Sequence, residues 1–125
     1  EEKQKDRHVL FHKNIYFKLE SAELSDVSKD VLDELIIELK ANPDWHVNSV
    51  GHTDNTGSIR YNNLLSVLRA EAVKTYLYNR GVEFKRLHAY GMGAEQPVAE
   101  NLAADGSDNP TGRAANRRVE IQLVK

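Results

Sequence analysis

A chain of 125 residues, 40% hydrophobic and 29% charged, has the size and make-up of one globular domain, with no room for two good cores. Its formal net charge of −2 supplies no general attraction for nucleic acid or anionic lipid, so a charged ligand needs a local site. The absence of cysteine excludes a disulfide framework, a thiolate metal site and a cysteine nucleophile, and no apolar run approaches the roughly 18 residues of a membrane span.

Residues 1–12 open with EEKQKDRH and read as a linker or upstream tail, with the domain expected over 13–125. No signal peptide or lipidation cysteine is visible, so any address or membrane anchor is expected upstream of this stretch. Lys13 to Phe17 is rich in β-formers and predicts a first strand. Ser21 and Ser25 are candidate helix caps. Behind them Val27, Val31, Leu32, Leu35, Ile36 and Leu39 recur at the spacing of one helical face. Pro43 ends that helix, because the residue before a proline resists the α region. Trp45 to Val50 predicts the second strand, closed by Gly51.

A second helix is expected from Tyr61 to about Asn79, with Tyr61, Leu64, Leu65, Leu68 and Ala72 on its apolar side and Gly81 at its left-handed C-cap. Leu87 to Tyr90 predicts a third strand, and Gly91-Met92-Gly93 a turn. Asn101 to Gly112 reads as a long polar loop. From Arg118 to Val124 apolar and polar residues alternate, which predicts a half-buried last strand. The order is β-α-β-α-β-β. It implies an α+β fold in which two helices pack on one face of a mixed four-stranded sheet.

Chemistry concentrates in three places. The first is the loop Gly51-His52-Thr53-Asp54-Asn55-Thr56-Gly57-Ser58, which runs from the second strand into the second helix. Asp54 sits there beside the unpaired N–H groups and positive dipole of a helix start. Asp54, Thr56 or Ser58 could equally serve as an ordinary helix cap. The second place is the stripe Asn62, Ser66 and Arg69, on one side of that helix at i, i+4 and i+7. Helical side chains lean toward the N-terminus, so Arg69 is directed down the helix toward Asp54, about 12 Å along the axis from Tyr61 to Arg69 at 1.5 Å per residue. Arg69 is either free to bind a ligand or paired internally with Asp54. The third place is Gly112 to Val119, with three arginines in six residues: a basic patch or a solvated strand end.

Signs of catalysis are weak. No GxSxG or HExxH motif appears, and His8 and His12, four apart, lie where extended chain or linker is expected. His52 is expected to hold its loop by a hydrogen bond, and His46 and His88 to sit on strand surfaces.

GHTDNTGS (51–58), YNNLLSVLRAEAVKTYL (61–77), YGMG (90–93) and GRAANRRVEI (112–121) together resemble the OmpA-like domain family, and IYF…SAEL (15–24) fits its first strand and helix start. The resemblance covers nearly the whole chain. It implies non-covalent binding of peptidoglycan through diaminopimelate of the stem peptide, at the periplasmic side of the outer membrane of a Gram-negative envelope. It implies no enzyme activity, cofactor or metal, and membrane attachment only through an upstream segment. Envelope proteins or a second copy of the chain are possible further partners.

By the family's motif, Asp54 takes the ligand's ammonium, with Thr53 beside it, and Arg69 takes its carboxylate. Asn62 stands at the helix start. Tyr16, Phe17, Leu65, Asn116 and Arg117 line or support the groove. Many members carry Asp or Asn where this chain has Glu20, and residues 102–111 form a longer connection than usual.

Overall fold

The computed structural model describes residues 9–125. Four strands and three helices follow one another: β1 (Val9–Tyr16), α1 (Asp26–Ala41), β2 (His46–Gly51), α2 (Ile59–Asn79), β3 (Leu87–Gly91), α3 (Pro110–Asn116) and β4 (Arg118–Val124). They form a mixed sheet of order β1-β4-β2-β3, with β4 antiparallel to both β1 and β2, and β2 parallel to β3. The α+β architecture expected from the sequence is therefore present, with a third, short helix added.

The sheet has one apolar face. Ile15 of β1, Val47 of β2, Leu87 of β3, and Val119, Ile121 and Leu123 of β4 join Leu32, Leu35, Ile36 and Leu39 of α1 and Val73, Tyr76 and Leu77 of α2 in one buried cluster. The alternation read in the last strand thus holds, because a strand's side chains point to opposite faces in turn. β1 begins at Val9, so residues 9–12, expected to be lead-in, pair with β4. His8 lies outside the described residues, and His12 belongs to a strand, so the pair shares no helical face.

Helix ends follow the local chemistry. The Ser25 hydroxyl accepts from the Ser28 N–H and caps α1, and the Ser58 hydroxyl accepts from the Tyr61 N–H and caps α2. Ser21, the other candidate, instead accepts from the Glu23 N–H. At the end of α2, Gly81 has φ +99°; its N–H donates to Tyr78 and the Val82 N–H donates to Leu77, closing the last carbonyls in a Schellman turn.

Two expectations about the helices need correction. Val27 is exposed, and α1 buries Ser28, Leu32, Leu35, Ile36 and Leu39. More consequentially, α2 buries Asn62, Leu65, Ser66, Arg69, Ala70, Val73, Tyr76 and Leu77, while Tyr61, Leu64 and Leu68 face outward. The core side of α2 is thus the one carrying the polar stripe. Close approach explains part of this. A Cβ at Gly51 would lie 1.9 Å from the Ser66 carbonyl oxygen, so β2 runs against this side of α2 only because Gly51 lacks one.

Within the expected polar loop, Asn109 caps α3 by accepting from the Gly112 N–H, with Pro110 in its first turn. Gly112 to Asn116 is therefore helical rather than the lead-in to a strand.

Candidate functional site

The loops at one end of the sheet enclose a cleft of about 290 Å³ lined by Leu19, Glu20, Thr53, Asp54, Thr56, Gly57, Ser58, Tyr61, Asn62, Leu65, Arg69 and Arg117. The β2–α2 loop brings Thr53 and Asp54, the first turns of α2 bring Asn62 and Leu65, and the end of α3 brings Arg117. Seven of the residues expected in the groove meet here: Asp54, Arg69, Asn62, Thr53, Glu20, Leu65 and Arg117.

Asp54 is 3% exposed. Its Oδ1 accepts from the Thr56 N–H at 2.8 Å, and its Oδ2 accepts from Arg117 Nη1 at 3.2 Å. Arg113 Nη1 stands 4.0 Å from Oδ1. Because Ser58 caps α2, Asp54 is not needed for that task. Its ion-pair partners among the described residues are Arg113 of α3 and Arg117 at that helix's C-cap, four residues apart, rather than Arg69.

Arg69 is fully buried and held on three backbone carbonyls. Nε donates to Ser21 at 2.8 Å, Nη1 to His52 at 3.0 Å and Nη2 to Lys18 at 3.0 Å. Lys18 and Ser21 are the two ends of a turn closed by the Ser21 N–H on the Lys18 carbonyl. One guanidinium thus knits α2 to the β1–α1 turn and to the base of the β2–α2 loop. Its carbon lies 5.3 Å from the centroid of the Phe17 ring. Burial, then the charge of Arg117, lower its pKa from the usual arginine range to about 10 against the opposing pull of Asp54, so it stays a cation at neutral pH. Neither sequence alternative, a free Arg69 or an Asp54–Arg69 pair, describes this arrangement.

Glu20 occupies the third position of that turn at φ +56°. Asp and Asn tolerate this left-handed region better than Glu, which gives a backbone reason for the Asp or Asn usual at this place.

Three expected residues lie around the cleft rather than in it. The Phe17 ring is core, beneath Arg69. Tyr16 is 53% exposed, accepts from Asn14 Nδ2, and lines a neighbouring hollow with Lys18, Ala114, Ala115 and Arg117. Asn116 is fully buried: its Oδ1 accepts from the Val98 and Ala99 N–H groups, and its Nδ2 donates to the Ala99 carbonyl and Asn101 Oδ1. It fastens residues 98–101 to α3 and so fixes the helix that delivers Arg117.

Sequence reasoning missed Arg113. Its Nη1 donates to Asn55 Oδ1 and Thr56 Oγ1, and its Nε donates to Asp108 Oδ1, tying the β2–α2 loop to the segment before α3. The signal was Asn109-Pro110, a helix start that would have put Arg113 and Arg117 on one face.

It also missed a cluster on the opposite sheet face. His52, 1% exposed, lies 3.6 Å from Glu120, which pairs with buried Arg118 at 2.7 Å. Burial, then Arg118, lower the His52 pKa below its usual 6.5, with Glu120 opposing. The ring therefore favours its neutral form, and the expected hydrogen bond is absent: neither nitrogen has one among the described residues. His46 and His88, expected on strand surfaces, are half-buried, nearly coplanar neighbours with Nδ1 and Nε2 3.0 Å apart.

Comparison with known proteins places these features in context. The model of the OmpA family matches residues 16–117. The chain is 34% identical over 116 residues to "Outer membrane protein A" of Bordetella avium, covering 93% of this chain and 57% of that protein. It is 41% identical over 107 residues to "Peptidoglycan-binding protein ArfA" of Mycobacterium tuberculosis, covering 86% of this chain and 31% of that protein. It superposes with a TM-score of 0.79 and 31% identity on the crystal structure of the peptidoglycan-associated lipoprotein from Burkholderia pseudomallei, covering 89% of each chain. The chain thus spans little more than half of one curated relative and a third of the other. Matched over most of its length by the family model, and in fold by a solved relative, the chain belongs to the OmpA family.

Proposed function

We propose that this chain binds peptidoglycan without cleaving it, taking the free zwitterionic end of diaminopimelate in the Asp54 cleft and so anchoring an envelope protein to the cell wall. The observation that carries the reading is a nearly buried carboxylate paired with the Arg117 guanidinium, with Arg69 lining the same cleft of about 290 Å³. The ligand end offers one ammonium beside one carboxylate. Asp54 suits the ammonium. Arg117, whose Nη2 carries no hydrogen bond among the described residues, suits the carboxylate, together with the N–H groups of Arg69 not held by carbonyls. Thr53, whose buried hydroxyl has no hydrogen bond among the described residues, lines the same cleft, and orphaned polar atoms are uncommon in finished interiors.

The ligand's ammonium replaces Arg117 on one Asp54 oxygen, so the bound state exchanges an internal ion pair for two external ones. Charge-assisted hydrogen bonds contribute about 1.5–3 kcal/mol each, and association costs several kcal/mol, which puts one site at micromolar to millimolar affinity. Many copies of the ligand in the wall raise the effective grip. A stem peptide with lysine in place of diaminopimelate lacks the second carboxylate and leaves the guanidinium side unpaired, so it is discriminated against. Names of relatives, one a peptidoglycan-binding protein and one a peptidoglycan-associated lipoprotein, support the same assignment.

The test is co-sedimentation with purified sacculi, with calorimetric titration of free diaminopimelate alongside. The wild-type chain sediments with diaminopimelate walls, sediments weakly with lysine walls and leaves the muropeptide pattern unchanged. Asp54→Ala loses at least about tenfold in affinity, as expected for one charge-assisted contact. Equal binding by Asp54→Ala and wild type removes the site assignment, and equal binding to both walls removes the zwitterion argument.

A further inference from the structure

The outward side of α2 is apolar in its middle stretch. Leu64 is 57% exposed, Val67 42% and Leu68 47%, on the side of the helix turned away from Leu65, Arg69 and Val73. A surface helix ordinarily carries polar residues there, and a helix apolar all round is normally covered on both sides. A contiguous exposed apolar patch of this kind marks an interaction surface. The stripe also has an ordered charge pattern. Arg60, Leu64, Val67 and Glu71 recur at spacings of four, three and four, the rhythm of a coiled-coil seam, with a base at one end, an acid at the other and two apolar residues between. Both charged residues are exposed, and no ion pair or side-chain hydrogen bond among the described residues engages either.

We infer that this stripe pairs with the same stripe of a second copy of the chain, two α2 helices packing antiparallel about a twofold axis level with the Leu65–Ser66 peptide. In that arrangement Arg60 faces the partner's Glu71, Leu64 faces the partner's Val67, and the symmetry operation repeats both contacts. The internal symmetry argues for a second copy over an unrelated protein. A foreign partner needs no base and acid placed equally far from one midpoint, whereas an isologous antiparallel pair needs just that. A parallel pair is excluded by the same charges, since it sets Arg60 against the partner's Arg60 and Glu71 against the partner's Glu71. Asn62, Leu65 and Arg69 turn the other way, so the seam borders each cleft only at its Tyr61 edge and leaves the Asp54 side open. Two clefts on one rigid dimer then engage neighbouring ligands on a polymer together. The seam is short and its charges are screened by salt, so the pairing is weak and reversible in dilute solution.

Sedimentation velocity from micromolar to millimolar concentration tests the inference. The wild-type chain shows a reversible monomer–dimer equilibrium that weakens with salt. Arg60→Glu and Glu71→Arg each raise the dissociation constant about tenfold or more, and the double exchange Arg60→Glu with Glu71→Arg restores it to within about threefold. Leu64→Asp abolishes the dimer. Unchanged thermal unfolding of each variant excludes loss of fold as the cause. A chain that stays monomeric to millimolar concentration, including one whose stripe is covered by a different protein, overturns the inference. So does a dimer indifferent to Leu64→Asp, or a double exchange no tighter than the single ones.

Discussion

The two sides of the cleft are both built on arginine, yet they use it in opposite ways. On the α2 side, Arg69 is fully buried, with three of its N–H groups on the carbonyls of Lys18, Ser21 and His52. On the α3 side, the Arg117 side chain is 18% exposed; its Nε donates to the Phe17 carbonyl and its Nη1 to Asp54, while its Nη2 has no hydrogen bond among the described residues. A guanidinium surrounded by carbonyls acts as scaffold; one beside a carboxylate at a cleft's edge can exchange partners. The same residue type therefore divides the work, Arg69 chiefly holding the shape and Arg117 chiefly exchanging partners, and the division can be attacked from either side.

The largest effect is expected from Arg69→Ala. It leaves three carbonyls without their donor and frees the Lys18–Ser21 turn, for a loss of about 3–5 kcal/mol in denaturant unfolding. Arg69→Lys should recover little of it, because a point-like ammonium cannot reproduce a planar fork. A loss below about 1 kcal/mol would show that the turn holds itself. Next comes Arg117→Ala, which should weaken diaminopimelate about tenfold in calorimetry while costing only about 1 kcal/mol of stability, the range of a partly exposed pair. If Arg117→Ala unfolds the chain as Arg69→Ala does, the two arginines share one role and the contrast fails.

A pH titration sharpens the comparison on the Arg69 side, since the His52 carbonyl is one of its three acceptors. The buried ring has a lowered pKa, so the unfolded chain binds the proton more readily than the folded one. The associated stability is complete above pH 6.5, the ordinary value, and is lost as pH falls from there through the folded value. The melting temperature of wild type should drop more between pH 7 and pH 5 than that of His52→Gln; parallel curves would contradict this. The smallest effect is a gain. Glu20→Asn relieves a left-handed glutamate in the turn that Arg69 clamps and should stabilise by about 0.5–1 kcal/mol in urea unfolding. No gain would mean that cleft contacts of the Glu20 carboxylate offset the strain.

Much of this architecture was legible in the sequence because it rests on local periodicity and punctuation. Strict alternation marked β4, and Ser25, Ser58 and Gly81 marked helix ends where the structure has them. The meeting of Asp54, Asn62 and Arg69 in one cleft followed from spacing and family motif. The inward side of α2 was not legible from periodicity, since Leu64, Val67 and Leu68 give its outer side an apolar character of its own. The core accepts the polar stripe because its groups are bonded: Ser66 donates to the Asn63 carbonyl and accepts from the Gly93 N–H, and Arg69 finds its carbonyls. Those carbonyls come from residues up to 51 positions away, so no local pattern announces them. The short α3 hid for a different reason. Its Gly, Ala and Asn content resembles a loop, and its stability comes from the Asn116 side chain bonding residues 98–101.

Strand order has a mechanical consequence. β1 pairs with β4 in one register from Phe11 opposite Leu123 to Tyr16 opposite Arg118, with an irregularity between Val9 and Phe11, and the cleft begins just beyond the Tyr16 end. Traction applied between the Val9 end and a ligand seated at Asp54 runs along the strand axis, about 26 Å at 3.3 Å per residue. The ladder bonds lie across that direction, so they are loaded together in shear instead of opening one after another like a zip.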